Sequence, residues 1–147
     1  MIELPEIETI RRDLERDCVG KKIKSVEVLK AKIAGGPKSK ASIEQELDQV
    51  KVESVSRIGK YLLFELSNEK TLAVGLGSGG QIRRVPNKAE LDSKTQMVVT
   101  FTQTGQMRLI DHNGEASVSL HETTEVIEDK PELLELGIDP IEHSQRI

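Results

Sequence analysis

The sequence predicts a mainly β protein, a two-sheet antiparallel β-sandwich with flanking helices. Three observations lead there. From Lys51 onward short segments rich in β-branched or alternating apolar residues follow one another, each bounded by Gly, Asn or Ser. Their spacing suits antiparallel hairpins packed as two layers or as a flattened barrel. Two helical patterns precede them. At 147 residues the chain is long enough for one domain to bury a core without disulfides or metals.

The first element is "PEIETIRRDLERDCVG". Pro5 suits the first helical position, Glu6 and Glu8 favour the positive end of the helix dipole, and Gly20 suits a C-terminal stop. Ile7, Ile10, Leu14 and Cys18 recur at helical spacing and predict one apolar face. "KIKSVEVLK" then reads as a strand, "AGGPKSK" as a mobile loop, and "ASIEQELDQ" as a short helix with Ile43 and Leu47 inward. Seven strands follow: "KVESVSRI", "KYLLFELS", "TLAVGLG", "GQIRRV", "TQMVVTFT", "GQMRLID" and "ASVSLH". "SNEK" and "QTGQ" are the expected hairpin turns. "GLGSGG" reads as a turn between strands, with Gly79 and Gly80 expected to supply positive φ. It satisfies G-x-G-x-x-G, but a strand pattern follows it and no helix opens to face a phosphate, so a dinucleotide site is not expected. Residues 131–136 predict a last helical turn with a stop at Gly137. The expected domain covers residues 1–140, with a polar tail over 141–147.

Composition narrows the function. Aromatic residues make up only 2% of the chain and tryptophan is absent, which leaves few rings for stacking bases. The lone Cys18 excludes an internal disulfide framework and every multi-cysteine zinc motif. His112, His121 and His143 lack metal-ligand spacing, so neither a metal nor another cofactor is expected. No apolar run leads the chain, which argues against secretion or membrane insertion and makes the cytoplasm the expected compartment. The net charge of −4 opposes nonspecific attraction to phosphates. Residues 1–70 carry 14 basic against 13 acidic groups, and residues 71–147 carry 7 against 12. The one electrostatic footprint for nucleic acid is "KKIKSVEVLKAKIAGGPKSK", where seven lysines face the single acid Glu27. Strand alternation should scatter those lysines over both faces, and most charge runs are simply solvated.

Three segments carry a family resemblance: "ELPEIETIRRDLER…VGKKIKSVEV", "VSRIGKYLLFELSNEKTLAVGLGSGGQIR" and "LGIDPIE". In that order they resemble the N-terminal domain of the formamidopyrimidine-DNA glycosylase and endonuclease VIII family, over nearly the whole chain. The resemblance implies a β-sandwich flanked by two helices, in agreement with the strand pattern. It also implies an activity: removal of oxidised bases from DNA by an N-terminal proline amine, exposed once the initiator methionine is cleaved, with Schiff-base formation and strand nicking. A secondary amine of moderate pKa is a good nucleophile at neutral pH, and a neighbouring glutamate handles protons.

The sequence departs from that pattern at the positions that do the chemistry. Glu3, Leu4, Pro5 and Glu6 match the terminal motif, but Ile2 stands where the proline nucleophile belongs. Bulky Ile2 should block methionine removal and leave the free amine on Met1, displaced by one extended residue, about 3.3 to 3.6 Å. The family's "HLGMSG" appears as "GLGSGG", with Gly75 for its histidine and Ser78 for the methionine that fills the space of an everted base. Its "DPRRFG" loop aligns with "DHNGEA", Asp111 to Ala116, without the arginine and phenylalanine that complete the wedge. An enzyme that flips bases must hold the duplex open against restacking worth a few kcal/mol. The family's second domain, with its helix-two-turn-helix and zinc finger or zincless equivalent, is not expected in residues 1–147.

Glu3 and Glu6 are therefore read as catalytic remnants that stabilise the helix N-terminus by about 0.3 to 1 kcal/mol each. Lys60 matches the family lysine that contacts DNA phosphate, and a solvated lysine at a strand start is an equally ordinary reading. Together these features predict a domain that has lost its nucleophile and wedge and binds DNA, weakly, or a protein partner. The alternatives are a residual DNA glycosylase or abasic-site lyase using the N-terminal amine with Glu3, and a sandwich that self-associates through a sheet edge.

Overall fold

The computed structural model describes residues 4–35, 39–103 and 105–125, and the side chains of these residues except those of 4–6, 31, 35 and 125. Helix α1 (Leu4–Cys18) leads into β1 (Ile23–Val28), a 3-10 turn (Ala31–Ile33), β2 (Ala34–Gly35) and α2 (Lys40–Glu46). Seven strands follow: β3 (Val52–Ile58), β4 (Tyr61–Leu66), β5 (Lys70–Gly75), β6 (Gly80–Val85), β7 (Thr95–Phe101), β8 (Gln106–Asp111) and β9 (Ser117–Glu122). Each falls on one of the seven predicted strand segments. The expected helical turn at 131–136 and the tail at 141–147 lie outside the described residues.

The strands form two sheets, one in the order β1-β7-β8-β6 and the other β2-β9-β5-β4-β3. Pairing is antiparallel except between β2 and β9, which run parallel at Ala34 with Val118 and Gly35 with Ser119. Ala34 and Gly35 were read as loop, because two residues carry no periodicity; β9 recruits them as an edge. Between the sheets lies an apolar core that includes Val26, Phe64, Leu72, Val74, Met97, Leu109, Val118 and Leu120. Alternation along each strand points these side chains to one layer.

The helices close two sheet edges. On α1, Ile7, Leu14 and Cys18 are buried in the core and Ile10 is half-buried, as their spacing predicts. The helix lies along β3, where Arg11 Nη1 donates to the Val55 carbonyl at 3.3 Å. On α2, Ser39 is the N-cap, accepting from Ser42 N–H, and Ile43 and Leu47 are fully buried. Glu44 Oε2 accepts the Val28 N–H at 2.7 Å, so this helix satisfies a backbone donor of the β1 edge.

Three connections cross between sheets, β1 to β2, β5 to β6 and β8 to β9, and the chain makes the last two at the same end of the sandwich. Within one sheet, the connection of residues 86–94 must pass over β8, because β6 and β7 flank that strand. Arg108 on β8 holds it there, donating to the carbonyls of Ala89 and Glu90 at 3.0 Å each and to Gln106 Oε1. Among the described residues, no helix is long and apolar enough to cross a membrane.

Candidate functional site

The end of the sandwich where the β5–β6 and β8–β9 crossings lie also receives the start of α1 and the β3–β4 turn. Glu8 joins these two. Its carboxylate accepts from Arg11 at 2.8 Å and from Arg57 Nε at 3.2 Å, and Arg57 Nη1 donates onward to the Gly59 carbonyl at 3.4 Å. The paired Arg11 guanidinium, with Arg57 behind it, holds the Glu8 carboxyl at about 2, far below its ordinary 4.5, despite the opposing effect of burial. Gly59 takes a φ of 57°, which lets the chain reverse before Lys60. The Lys60 carbonyl accepts the Leu76 N–H at 3.1 Å, so the lysine sits at the root of the β5–β6 loop.

That loop is the retained "GLGSGG" segment. Leu76 is fully buried and its carbonyl accepts the Gly80 N–H at 2.8 Å, closing a tight turn. Positive φ falls on Gly77, at 61°, and not on the expected Gly79 and Gly80. Those two glycines serve close approach instead. A Cβ on Gly80 would lie 2.3 Å from the Leu76 carbonyl oxygen, and one on Gly79 would lie 2.5 Å from Asn113 Nδ2.

The facing β8–β9 loop, Asp111 to Ala116, is built around a buried carboxylate. Asp111 accepts from Asn113 N–H at 3.0 Å and Ala116 N–H at 2.7 Å; these backbone donors hold its carboxyl below the usual range although burial acts the other way. The two loops then interlock with a period of two residues. Cβ atoms placed on Gly75, Gly77 and Gly79 would collide with Ser117 Oγ at 2.8 Å, Glu115 Cβ at 2.6 Å and Asn113 Nδ2 at 2.5 Å. Ser78 provides the polar bond across this seam. Its N–H donates to Glu115 Oε1 at 3.0 Å, its hydroxyl donates to the same oxygen, and Asn113 Nδ2 donates to Ser78 Oγ at 3.1 Å.

The predicted site residues are thus partly assembled. Lys60, the first turn of α1 that contains Glu6, and both altered loops share one end of the fold; the Glu6 side chain and Glu3, with Ile2 before it, lie outside what the structure describes. The lysines of 21–40 separate by end of the sandwich more than by face. Lys22 and Lys24 lie near the Ile23 end of β1, which pairs with Phe101, away from the crossings. Lys32 reaches the β8–β9 loop: its Nζ is 3.6 Å from where a Gly114 Cβ would be. Lys38 lies outside the described residues.

Sequence reasoning did not find the Glu8–Arg57 brace or the partnership of Ser78 with Glu115. Both join residues far apart in the chain, and no local pattern marks them. Of the histidines, His112 is exposed in the β8–β9 loop, while His121 is fully buried with a ring nitrogen 2.6 Å from Ser119 Oγ. Among the described residues, no group of three His, Cys, Asp or Glu side chains is placed to hold a metal ion.

A β-sandwich with a helix start, a lysine turn and two glycine-bearing sheet crossings at one end has clear relatives. Residues 1–118 match the family described as the formamidopyrimidine-DNA glycosylase N-terminal domain. The formamidopyrimidine-DNA glycosylase of Ligilactobacillus salivarius is 35% identical over 111 residues, covering 76% of this chain and 40% of that protein. That of Magnetococcus marinus is 35% identical over 145 residues, covering 98% of this chain and 52% of that protein. The Lactococcus lactis enzyme, solved with DNA containing an abasic site, superimposes with a TM-score of 0.81 at 30% identity, over 91% of this chain and 49% of its own. The same enzyme solved with DNA containing FAPY-dG gives 0.81 over 90% and 48%. The chain therefore belongs to the formamidopyrimidine-DNA glycosylase family, in which it corresponds to the N-terminal domain. It spans about half the length of these relatives.

Proposed function

We infer that this chain is a glycosylase-family domain that no longer performs base excision and acts by binding, with DNA phosphate near Lys60 as its ligand. The observation that carries this reading is the state of the two loops. Ser78, the one side chain beyond glycine in the 77–80 apex, is committed to Asn113 and Glu115. Residues 77–80 and 112–115 contain no aliphatic or Phe, Tyr or Trp side chain, so nothing apolar is offered to the gap left by an everted base. Ile2 in the nucleophile's position supports the same reading. The solved relatives in complex with DNA, and the match of Lys60 to the family lysine that contacts phosphate, support DNA as the ligand.

A second reading is kept alive by the retention of Glu3, Glu6 and Lys60: an abasic-site lyase acting through the Met1 amine, with Glu3 assisting. A primary amine can form an imine with the ring-opened abasic aldehyde, losing water and leaving a borohydride-reducible C=N bond. Borohydride trapping on abasic duplex separates the two, with no covalent adduct expected. A trapped adduct on Met1 would replace the binding reading by the lyase. Binding itself is tested by anisotropy with labelled duplex at low salt, where Lys60→Ala should weaken affinity and lower the salt slope by about one. If the wild type does not bind and Lys60→Ala changes nothing, DNA is not the ligand and a protein partner takes its place.

A further inference from the structure

We propose that Arg57 is a positioning residue for Lys60: braced by Glu8, it fixes the backbone from which that lysine reaches for phosphate. The inference rests on the binding reading above and concerns how the same site is held.

The backbone is tied on both sides of Lys60. Only Gly59 and Lys60 lie between the paired residues Ile58 and Tyr61, so the turn is tight. Arg57 Nη1 donates to the Gly59 carbonyl at 3.4 Å, and that carbonyl belongs to the peptide plane that ends at the Lys60 Cα. On the other side, the Lys60 carbonyl accepts the Leu76 N–H at 3.1 Å. With both planes held, the direction in which the lysine side chain leaves the turn is set by the backbone.

Arg57 can hold its plane only while it is itself held. Its Nε donates to Glu8 Oε1 at 3.2 Å, and Glu8 also accepts from Arg11, whose Nη1 reaches the Val55 carbonyl on β3 at 3.3 Å. The Arg57 and Glu8 side chains are 27% and 29% exposed, so water competes only in part for these bonds. A guanidinium suits the task because its planar fork serves two acceptors at once, one on α1 and one on the turn; an ammonium on a flexible stem is a single point of charge.

A role through charge alone predicts the opposite outcome, and this gives the test. Binding of the full chain to a labelled duplex is measured across a salt series for the wild type, Lys60→Ala, Arg57→Lys, Glu8→Ala, and the last two each combined with Lys60→Ala. Arg57→Lys keeps the charge and loses the fork, while Glu8→Ala removes the brace together with a negative charge. Acting through charge alone, the first would bind like the wild type and the second more tightly. Positioning predicts that both weaken binding about two- to fivefold at low salt and lower the salt slope by up to about 0.9, as the loss of one phosphate contact does. Neither should add to the loss caused by Lys60→Ala. Arg108→Ala, a destabilised control outside this site, should bind as the wild type does. The Leu76 amide reads the turn without DNA and should exchange faster in Arg57→Lys and Glu8→Ala than in the wild type.

The proposal is overturned by wild-type affinity in either variant, by losses that add to that of Lys60→Ala, by equal weakening in Arg108→Ala, or by unchanged exchange at Leu76. The two readings fail separately. A wild type weakened by Lys60→Ala beside unaffected Arg57→Lys and Glu8→Ala variants keeps DNA as the ligand and sinks the positioning role. A wild type that does not bind removes the ligand, and the Leu76 amide still decides whether Arg57 holds the turn.

Discussion

Glu8 and Arg57, 49 positions apart in the chain, meet at 3.2 Å and fasten the start of α1 to the β3–β4 turn that carries Lys60. Because Arg11 shares the carboxylate, Glu8 titrates at about 2 in the folded protein against an ordinary 4.5. A depressed carboxyl pKa adds stability that is complete above the ordinary value and is lost as pH falls toward the folded one. Glu8→Gln should cost about 1 kcal/mol near neutrality and should flatten the fall in Tm between about pH 4.5 and 2. Thermal melts across that range check it, and equal acid slopes for the two proteins would rule out the brace.

The glycines of the two loops should separate by mechanism. Gly80→Ala drives a Cβ to 2.3 Å from a backbone oxygen that closes the turn, so the backbone must shift, at a cost of about 1 to 3 kcal/mol. Gly114→Ala meets only the end of a flexible lysine, and its penalty comes from holding a φ of 74°, about 1 to 2 kcal/mol. Urea denaturation should rank Gly80→Ala as the less stable. A larger loss for Gly114→Ala would contradict the packing account.

Arg108 is 5% exposed and its guanidinium binds two carbonyls of the segment that crosses β8. Arg108→Ala removes charge-assisted bonds worth about 1.5 to 3 kcal/mol together and should release residues 86–94. Hydrogen exchange is the direct readout: the Ala89 amide, which donates to the Pro86 carbonyl, should exchange faster while the β3–β4 amides do not. Uniform acceleration would mean that the residue supports the whole sandwich and not this connection.

Burial pushes the Cys18 thiol up to about 11, and the side chain is fully enclosed between α1 and the core. The thiolate is the reactive form, so Cys18 should resist alkylation by iodoacetamide at neutral pH in the native state and react on unfolding. Labelling monitored by intact mass checks this; rapid modification of the native protein would show that α1 opens.

Much of the fold was legible because it is encoded locally. The spacing of Ile7, Leu14 and Cys18 marks a buried helix face, and Ile43 with Leu47 marks another, since each face meets the core at every turn. Strand alternation located all seven segments from Val52 onward. The β2–β9 pairing was not legible: Ala34 and Gly35 have no pattern of their own and become a strand only because β9 offers an open edge. The positive φ at Gly77 was misplaced for a similar reason. Four of the six residues in "GLGSGG" are glycine, so the sequence permits several turns, and the contacts of Gly79 with Asn113 and Gly80 with Leu76 select one.

By itself the sequence indicated the layer architecture and the family, and singled out Ile2, Gly75, Ser78 and the 111–116 loop as departures from the pattern it resembles. Only the tertiary structure decided what the altered loops do with one another. Ser78 and Glu115 are 37 positions apart and become partners because the β5–β6 and β8–β9 crossings lie at one end of the sandwich. Periodicity is set by neighbours along the chain, whereas that contact depends on where two crossings return in space, and so the pairing of Ser78 with Glu115 could be recognised only after folding.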